Sequence, residues 1–438
     1  MEKKNVYAGT GISRDDDPYK AGKEAVEMAI EKAGKAPDFG FVFCSGGKYG
    51  NNDKRIKKLV EGAHEAFMAA NKKCKWMGCT TAGEISNYGF SQGSCVAMCL
   101  SSNYIHVGVG ISDNVEKKPE DAGKDAIKEA LKDLKTDKQV DSYISYLAAK
   151  RKSVEELMKI KPYYVIMLTQ GPLINKNVFG REESIAKGIS SIIGRYVPII
   201  GGSAADDMKF EKVYVFKDGK VCVDSVVTMV VASDIHLGIS LEHGYKPTTK
   251  SFIVTKVKDR IIYELNGKPA VKEFCKAAGI NEAEFRKQPL AFSDKYILGV
   301  PDGTGNFFSM VTGAVVNNAI QIATSLEKNS MLALMSAKPN DLLDAARDSV
   351  KYAIQDSSSK KVAAVLMFDC SIRWLNLGKN VSKEIEMVKK QVGKDVPIVG
   401  FYTFGEQGLR HFGGACAHFT ASTSSMVFTD KLFTEKNG

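Results

Sequence analysis

Trp76-Met-Gly78-Cys-Thr-Thr-Ala-Gly-Glu84 reads as a short apolar strand that stops at a glycine, runs through small and hydroxyl residues, and meets an acid six positions after the glycine. The phrase recurs as Pro198-Ile-Ile-Gly201-Gly-Ser-Ala-Ala-Asp-Asp207 and as Pro397-Ile-Val-Gly400-Phe-Tyr-Thr-Phe-Gly-Glu406. Outward from each loop the context repeats as well. An amphipathic helix precedes each one, with stripes at Ile56, Leu59, Val60, Ala63 and Phe67, at Ile185, Ile189, Ile192 and Ile193, and at Ile385, Val388 and Val392. Before each helix lies a continuous apolar run, at 39–44, 164–169 and 362–370, of the kind that suits strands buried on both faces of a parallel sheet.

A further element recurs upstream. Gly11-Ile-Ser13 leads into a helix beginning Ala21-Gly-Lys-Glu-Ala25, and Gly110-Ile-Ser112 leads into Ala122-Gly-Lys-Asp-Ala126. Leu334-Met-Ser336 before the helix expected over 341–354 is a weaker third version. Strand-like segments at 95–100, 225–232 and 417–428 close the units. Each unit therefore reads β-α-β-α-β-loop-β. The predicted fold class is α/β: tandem repeated β-α-β units forming mainly parallel sheets flanked by helices, in two domains. The first domain is expected over 1–240 with two units, plus a partly helical insertion near 136–161. The second is expected over 241–430, where a hairpin (252–257, a turn at Lys258-Asp-Arg260, then 261–265) and a helix starting at Pro269 precede the third unit. The last eight residues read as a polar tail.

Composition narrows the class. The chain has 438 residues, 44% hydrophobic and 26% charged, which is globular composition for more than one core. No apolar run approaches the roughly 18 residues of a membrane span, and 1–12 lacks a signal-type apolar stretch, so a cytoplasmic protein without membrane insertion is expected. Nine scattered cysteines with no Cys-x-x-Cys pair predict reduced, mostly buried thiols and no metal site. The net charge of +10 is interleaved with acids, which suits solvated helix faces and not nucleic acid. No P-loop, dinucleotide-binding glycine motif, His-Glu-x-x-His or Gly-x-Ser-x-Gly occurs.

Gly78-Cys-Thr-Thr-Ala-Gly-Glu-Ile85 and Gly201-Gly-Ser-Ala-Ala-Asp-Asp207 resemble the two signature loops of the FIST N-terminal domain. Val254-Thr-Lys256, Tyr263-Glu-Leu-Asn-Gly267 and Pro269-Ala270 resemble the start of the FIST C-terminal domain. Phe368-Asp-Cys-Ser-Ile-Arg373 and Gly400-Phe-Tyr-Thr-Phe-Gly-Glu406 resemble its closing motifs. The resemblance runs from about residue 35 to about 410. It implies an intracellular sensory domain that binds a small, amino-acid-like metabolite; some relatives bind haem and sense nitric oxide, and many are fused to a signalling output. With no output module expected after residue 430, a signal would pass to a separate signalling protein.

The ligand is expected among the loops, since open α/β sheets bind ligands at the carboxyl ends of their strands. Candidate ligand-binding residues are Gly78, Cys79, Thr80, Thr81 and Glu84 in the first loop, Gly202, Ser203, Asp206 and Asp207 in the second, and Tyr402, Thr403 and Glu406 in the third. Glycine would admit a ligand to main-chain N–H groups, hydroxyls would supply adaptable hydrogen bonds, and the acids would hold an ammonium or a water. The competing reading is that glycine and acid merely fix and cap a tight turn. Arg373 would grip a carboxylate or phosphate, or form an ion pair. Cys44 and Cys370 sit at matching strand ends, and no histidine repeats nearby to activate either thiol. No cofactor is expected. Two other functions stay open: a haem-based sensor with His243 as axial ligand, and a small-molecule enzyme using Glu406 with Cys79 or Arg373. No catalytic residue is assigned.

Overall fold

A computed structural model of the chain describes residues 4–134, 163–176, 178–303, 305–410 and 417–434. The insertion expected near 136–161, His411, Cys416 and the end of the tail lie outside them. The first unit contributes β1 (Tyr7–Ser13), α1 (Pro18–Ala33), β2 (Phe39–Ser45), α2 (Asp53–Ala70), β3 (Lys75–Thr81), β4 (Glu84–Ser86), β5 (Gly89–Ser91) and β6 (Cys95–Ser101). The second contributes β7 (Ile105–Asp113), α3 (Pro119–Asp133), β8 (Tyr163–Gln170), α4 (Glu182–Ile193), β9 (Ile199–Ala204), β10 (Val215–Lys217), β11 (Lys220–Cys222) and β12 (Ser225–Ser233). After β13 (Ile235–Glu242) comes an inserted stretch. It comprises β14 (Lys246–Lys258), β15 (Ile261–Leu265), β16 (Lys268–Pro269), α5 (Ala270–Ala278), α6 (Glu282–Lys287), β17 (Ile297–Pro301), β18 (Phe307–Met310), β19 (Thr312–Val316), β20 (Ala319–Ile322) and β21 (Met331–Ser336). The third unit resumes with α7 (Pro339–Asp356), β22 (Val362–Cys370), α8 (Ser371–Leu377), α9 (Val381–Val392), β23 (Ile398–Thr403), β24 (Glu406–Gly408), β25 (Ala417–Phe419) and β26 (Thr423–Leu432). A proline in the first turn starts each of α1, α3 and α7, where its missing N–H costs nothing.

The strands form four sheets, and the expectation of mainly parallel β-α-β units does not hold. Only β2–β3, β8–β9 and β22–β23 are parallel; every other pairing among the described residues is antiparallel. Three six-stranded sheets share one order: β1-β6-β2-β3-β10-β11, β7-β12-β8-β9-β24-β25 and β13-β26-β22-β23-β4-β5. In each, the closing strand inserts antiparallel between the first and second strands, so the chain doubles back where a parallel crossover was expected. The short hairpin after each loop leaves its own sheet. Pair β4–β5 joins the third sheet, β10–β11 the first and β24–β25 the second. The inserted stretch makes a fourth, antiparallel sheet, β18-β17-β21-β14-β15-β20-β19, with β16 on β15. The thirteen-residue β14 pairs with β21 and then β15, which curls this sheet over α5.

The apolar runs misled about strand direction because they report burial, not polarity. Phe39, Phe41 and Phe43 of β2, Val227, Met229 and Val231 of β12, and Leu366 and Phe368 of β22 meet in one central core shared by three sheets. Phe43 lies 4.7 Å, ring centre to ring centre, from Phe401 of another sheet. The alternate residues face outward onto helices: Val42 and Cys44 onto α1 and α2, Val226 and Val230 onto α3 and α4, Val365 and Met367 onto α7 and α9. A strand sandwiched between a helix layer and a second sheet is apolar on both faces whatever its direction. The helical stripes bury as expected up to their last turns, where Ile193 and Val392 are partly buried and Ile192 is 39% exposed.

Candidate functional site

The three glycine loops meet, and they pair with one another. Ala82 N–H donates to Tyr402 O at 3.0 Å and Tyr402 N–H to Gly83 O at 2.8 Å. Phe404 N–H donates to Ser203 O at 3.1 Å and Ser203 N–H to Gly405 O at 2.8 Å, while Ala205 N–H donates to Thr80 O at 2.9 Å. The ring of loops is thus closed by backbone, and Cys79, Thr80, Thr81, Glu84, Ser203, Tyr402, Thr403 and Glu406 are buried within it. The signature glycines serve strand packing. A Cβ on Gly78, Gly201 or Gly400 would lie 1.9, 1.8 or 2.2 Å from the carbonyl oxygen of Val42, Met167 or Met367 on the parallel neighbour. Gly202 is equally filled, against the Thr403 side chain.

Two of the three acids do the same job. Glu84 accepts from Thr81 Oγ1 at 2.5 Å, Ser94 Oγ at 2.6 Å and Ser94 N–H at 3.0 Å. Glu406 accepts from Thr403 Oγ1, from Ser422 Oγ at 2.6 Å and from Ser422 N–H at 3.2 Å. Burial pushes both carboxyls up to about 8. Asp207 shares their sequence offset but not their place. In register, Glu84 opposes Phe401, Glu406 opposes Gly202, and the residue opposite Cys79 is Val215. Asp207 instead turns to the first unit, accepting from Ser45 Oγ at 2.6 Å and Gly47 N–H at 2.7 Å. The cysteine match also shifts by one residue. Cys44 pairs with Thr80, whereas Cys370 pairs with Thr403 and so matches Ser45.

Arg373 forms a buried ion cluster. Nε donates to Asp369 at 2.7 Å, and Nη2 donates to Glu384 and, at 2.9 Å, to Leu342 O; Tyr402 OH donates to Glu384 at 2.6 Å. Burial drives Asp369 upward against the pull of Arg373. The ion-pair reading of Arg373 is the one its geometry supports.

A cleft opens beside the ring, between the second and third units and the inserted sheet. It encloses ≈ 560 Å³ of space, part of it open to solvent. None of the thirteen candidate ligand-binding residues lines it, whereas Cys370, noted as a matching strand end, does. Its walls are apolar, from Phe210, Leu290, Val311, Ile322, Ile372 and Phe404. Phe210 stacks on Phe404 at 4.1 Å between ring centres. It does so from a left-handed backbone, φ 54°, within a stretch where Asp207 and Met208 are also left-handed. Such conformations cost bulky residues about 1–2 kcal/mol each. Asp206 holds the bend, its carboxylate accepting from the N–H groups of Phe210, Glu211 and Lys212 at 2.7–2.9 Å. A residue chosen as a ligand contact is in fact the support of a cleft wall.

The polar floor is built by three distant segments. Glu182, at the start of α4, is fully buried, and Gly180 leaves the room its carboxylate occupies. Arg260 reaches it from the β14–β15 turn, both Nη atoms 3.4 Å from Glu182 Oε2 and Nη2 3.5 Å from Glu183. His418 on β25 stands with Nε2 3.9 Å from Glu182 and Nδ1 3.2 Å from Gln407 Nε2. Ser203, the one predicted residue touching this floor, donates to Glu182 at 3.0 Å. Burial raises Glu182, but His418 when protonated, Arg260 and the Ser203 hydroxyl outweigh it and hold the carboxyl below its usual range. Burial lowers His418 against the pull of Glu182. Spacing could not have joined positions 182, 260 and 418; the only local signal was the turn at Lys258-Asp-Arg260.

His243 does not fit an axial haem ligand. Its Nδ1 accepts from Tyr245 N–H at 3.0 Å, and Nε2 lies 3.0 Å from both Phe307 O and Arg410 Nη1. Burial and Arg410 lower it to about 3. Among the described residues no cluster of three metal-ligating side chains occurs, the cysteines are free, and no helix is long and apolar enough to cross a membrane.

Comparison with known proteins finds the FIST N domain over residues 38–268 and the FIST C domain over 270–409. An uncharacterized protein of Methanocaldococcus jannaschii, MJ1623, is 30% identical over 181 residues, 38% of this chain. The matched part is 35% of that relative's length. Among solved structures, cyanuric acid hydrolase from A. caulinodans overlaps 97% of this chain and 99% of its own, with a TM-score of 0.36 and 8% identity.

Proposed function

The chain belongs to the FIST family, whose domains are regarded as small-ligand sensory domains, and on that premise we propose that its ligand is a small amino-acid-like metabolite held in the cleft and not among the glycine loops. One observation carries the reading: an apolar cleft whose floor places a buried arginine, a buried carboxylate and a buried histidine within reach of one guest. Binding sites combine apolar walls with few placed polar groups in this way. The left-handed bend at 207–210 supports it, because backbone strain is retained where a wall must be held in place.

Arg260 comes from the inserted sheet, whereas Glu182 and His418 belong to the body. A guest touching all three tightens the contact between the two parts, and a separate signalling partner would read that change. The glycine loops form the rigid frame behind the cleft.

Thermal-shift and calorimetric screening of the full chain against amino acids and related metabolites tests the proposal. A stabilising compound is expected, and Arg260→Ala should change its affinity at least tenfold, about 1.4 kcal/mol. A library with no stabilising member, or one whose binders ignore Arg260→Ala, overturns it.

A further inference from the structure

The floor of the cleft is not balanced in charge. Arg260 is the single cation among the described residues that line it, and it faces two carboxylates, Glu182 in the lining and Glu183 just outside it, at 3.4 and 3.5 Å. His418 is buried with its Nδ1 facing the amide Nε2 of Gln407, a donor, at 3.2 Å, so that ring nitrogen carries no proton, and Gln407 and Ser203 add no charge. Glu183 is 30% exposed and also accepts from Ser325 N–H at 3.3 Å. One carboxylate is therefore in excess. Both ion pairs are longer than the 2.7–2.9 Å of a tight charge-assisted bond, so neither carboxylate is saturated by Arg260.

An anionic guest would compete with Glu182 for Arg260 and leave a buried carboxylate without its partner, the costly outcome in a low-dielectric site. An ammonium would instead complete the set. Above the floor the walls are apolar apart from Gln321, Ser371 and Thr420, so a charged side chain on the guest would lose its hydration for little return.

Resting on the proposed cleft, we infer that the group this site requires is a primary ammonium on an apolar, branched or aromatic body. A carboxylate on the guest is tolerated, through the donors Arg260 has to spare, but is not required. The ligand class is thus an apolar amino acid or the corresponding amine, and excludes simple carboxylates and acidic amino acids.

The test uses the full chain and matched compounds at millimolar concentration: L-leucine and L-phenylalanine, the amines 3-methylbutylamine and 2-phenylethylamine, the acids 4-methylpentanoate and 3-phenylpropanoate, and L-aspartate. The amino acids and amines should raise Tm by about 2 °C or more, and the acids and aspartate should not. Gly313→Leu provides the control. A Cβ there meets only Gln321, at 3.7 Å, so the larger side chain enters the cleft without disturbing the floor, and it should abolish the shift. Stabilisation by the acids equal to or above that by the amines overturns this inference and leaves the proposed cleft standing. Shifts that survive Gly313→Leu place the binding elsewhere and overturn both, as does a wider library in which no compound stabilises the protein.

Discussion

At the scale of single residues, the twin carboxyls Glu84 and Glu406 are the clearest link between burial and a measurable property. Each is fully buried, held by a threonine and a serine, and pushed by burial up to about 8 from an unfolded value near 4.5. Between those values the folded chain binds more protons than the unfolded one, so stability falls as pH rises from about 4.5 to about 8 and levels off above. The double variant Glu84→Gln, Glu406→Gln should lose most of that slope, because the amide keeps the neutral shape and its hydrogen bonds. Urea unfolding at pH 5 and at pH 8.5 checks this; an equal stability gap between wild type and variant at the two pH values contradicts it. The acid pattern was visible in the sequence, but its meaning was not. The shared offset grouped Asp207 with the two glutamates, whereas the eight residues 206–213 ahead of β10 put Val215 in the matching position. Counting along a chain cannot register an insertion that space absorbs.

At the scale of elements, the parallel pairs at the heart of each sheet depend on backbone contact closer than any side chain permits. Gly400→Ala puts a Cβ about 2.2 Å from Met367 O, in the middle of β23, with backbone and no flexible atom to yield. It should cost about 3 kcal/mol or more, as overpacking of a fixed core does. Gly267→Ala is the contrast. It has φ +73° in the β15–β16 turn and open space around it, so only the left-handed conformation is penalised, by about 1 kcal/mol. Chemical denaturation of both variants reads the difference, and a Gly400→Ala loss no larger than that of Gly267→Ala would show that the β22–β23 pair can part without cost. The glycines stood out in sequence because they end apolar runs. Whether they faced a ligand or a neighbouring strand depended on what lay opposite.

At the scale of the whole molecule, the exchanged hairpins tie the three units together. The division expected at 240/241 cuts β13, whose neighbour in the third sheet is β26, and leaves β4–β5 without β23. It also leaves the second sheet without β24 and β25. Residues 1–240 expressed alone would expose the central face of Phe39, Phe41 and Phe43, together with three unpaired sheet edges. That fragment should lack a cooperative thermal transition and bind a hydrophobic dye, while the full chain unfolds as one unit across the three sheets. A cooperative, dye-silent fragment would show that each sheet closes its own core.

From the sequence alone came the main strands and helices of the three units, the loops that end them, the family, and the apolar faces of those elements, because each is set by residue type and local spacing. Strand direction, the exchange of hairpins and the gathering of Glu182, Arg260 and His418 into one floor were decided only by the tertiary structure. Those features depend on which buried faces find each other across hundreds of residues, and an apolar side chain carries no label for its partner.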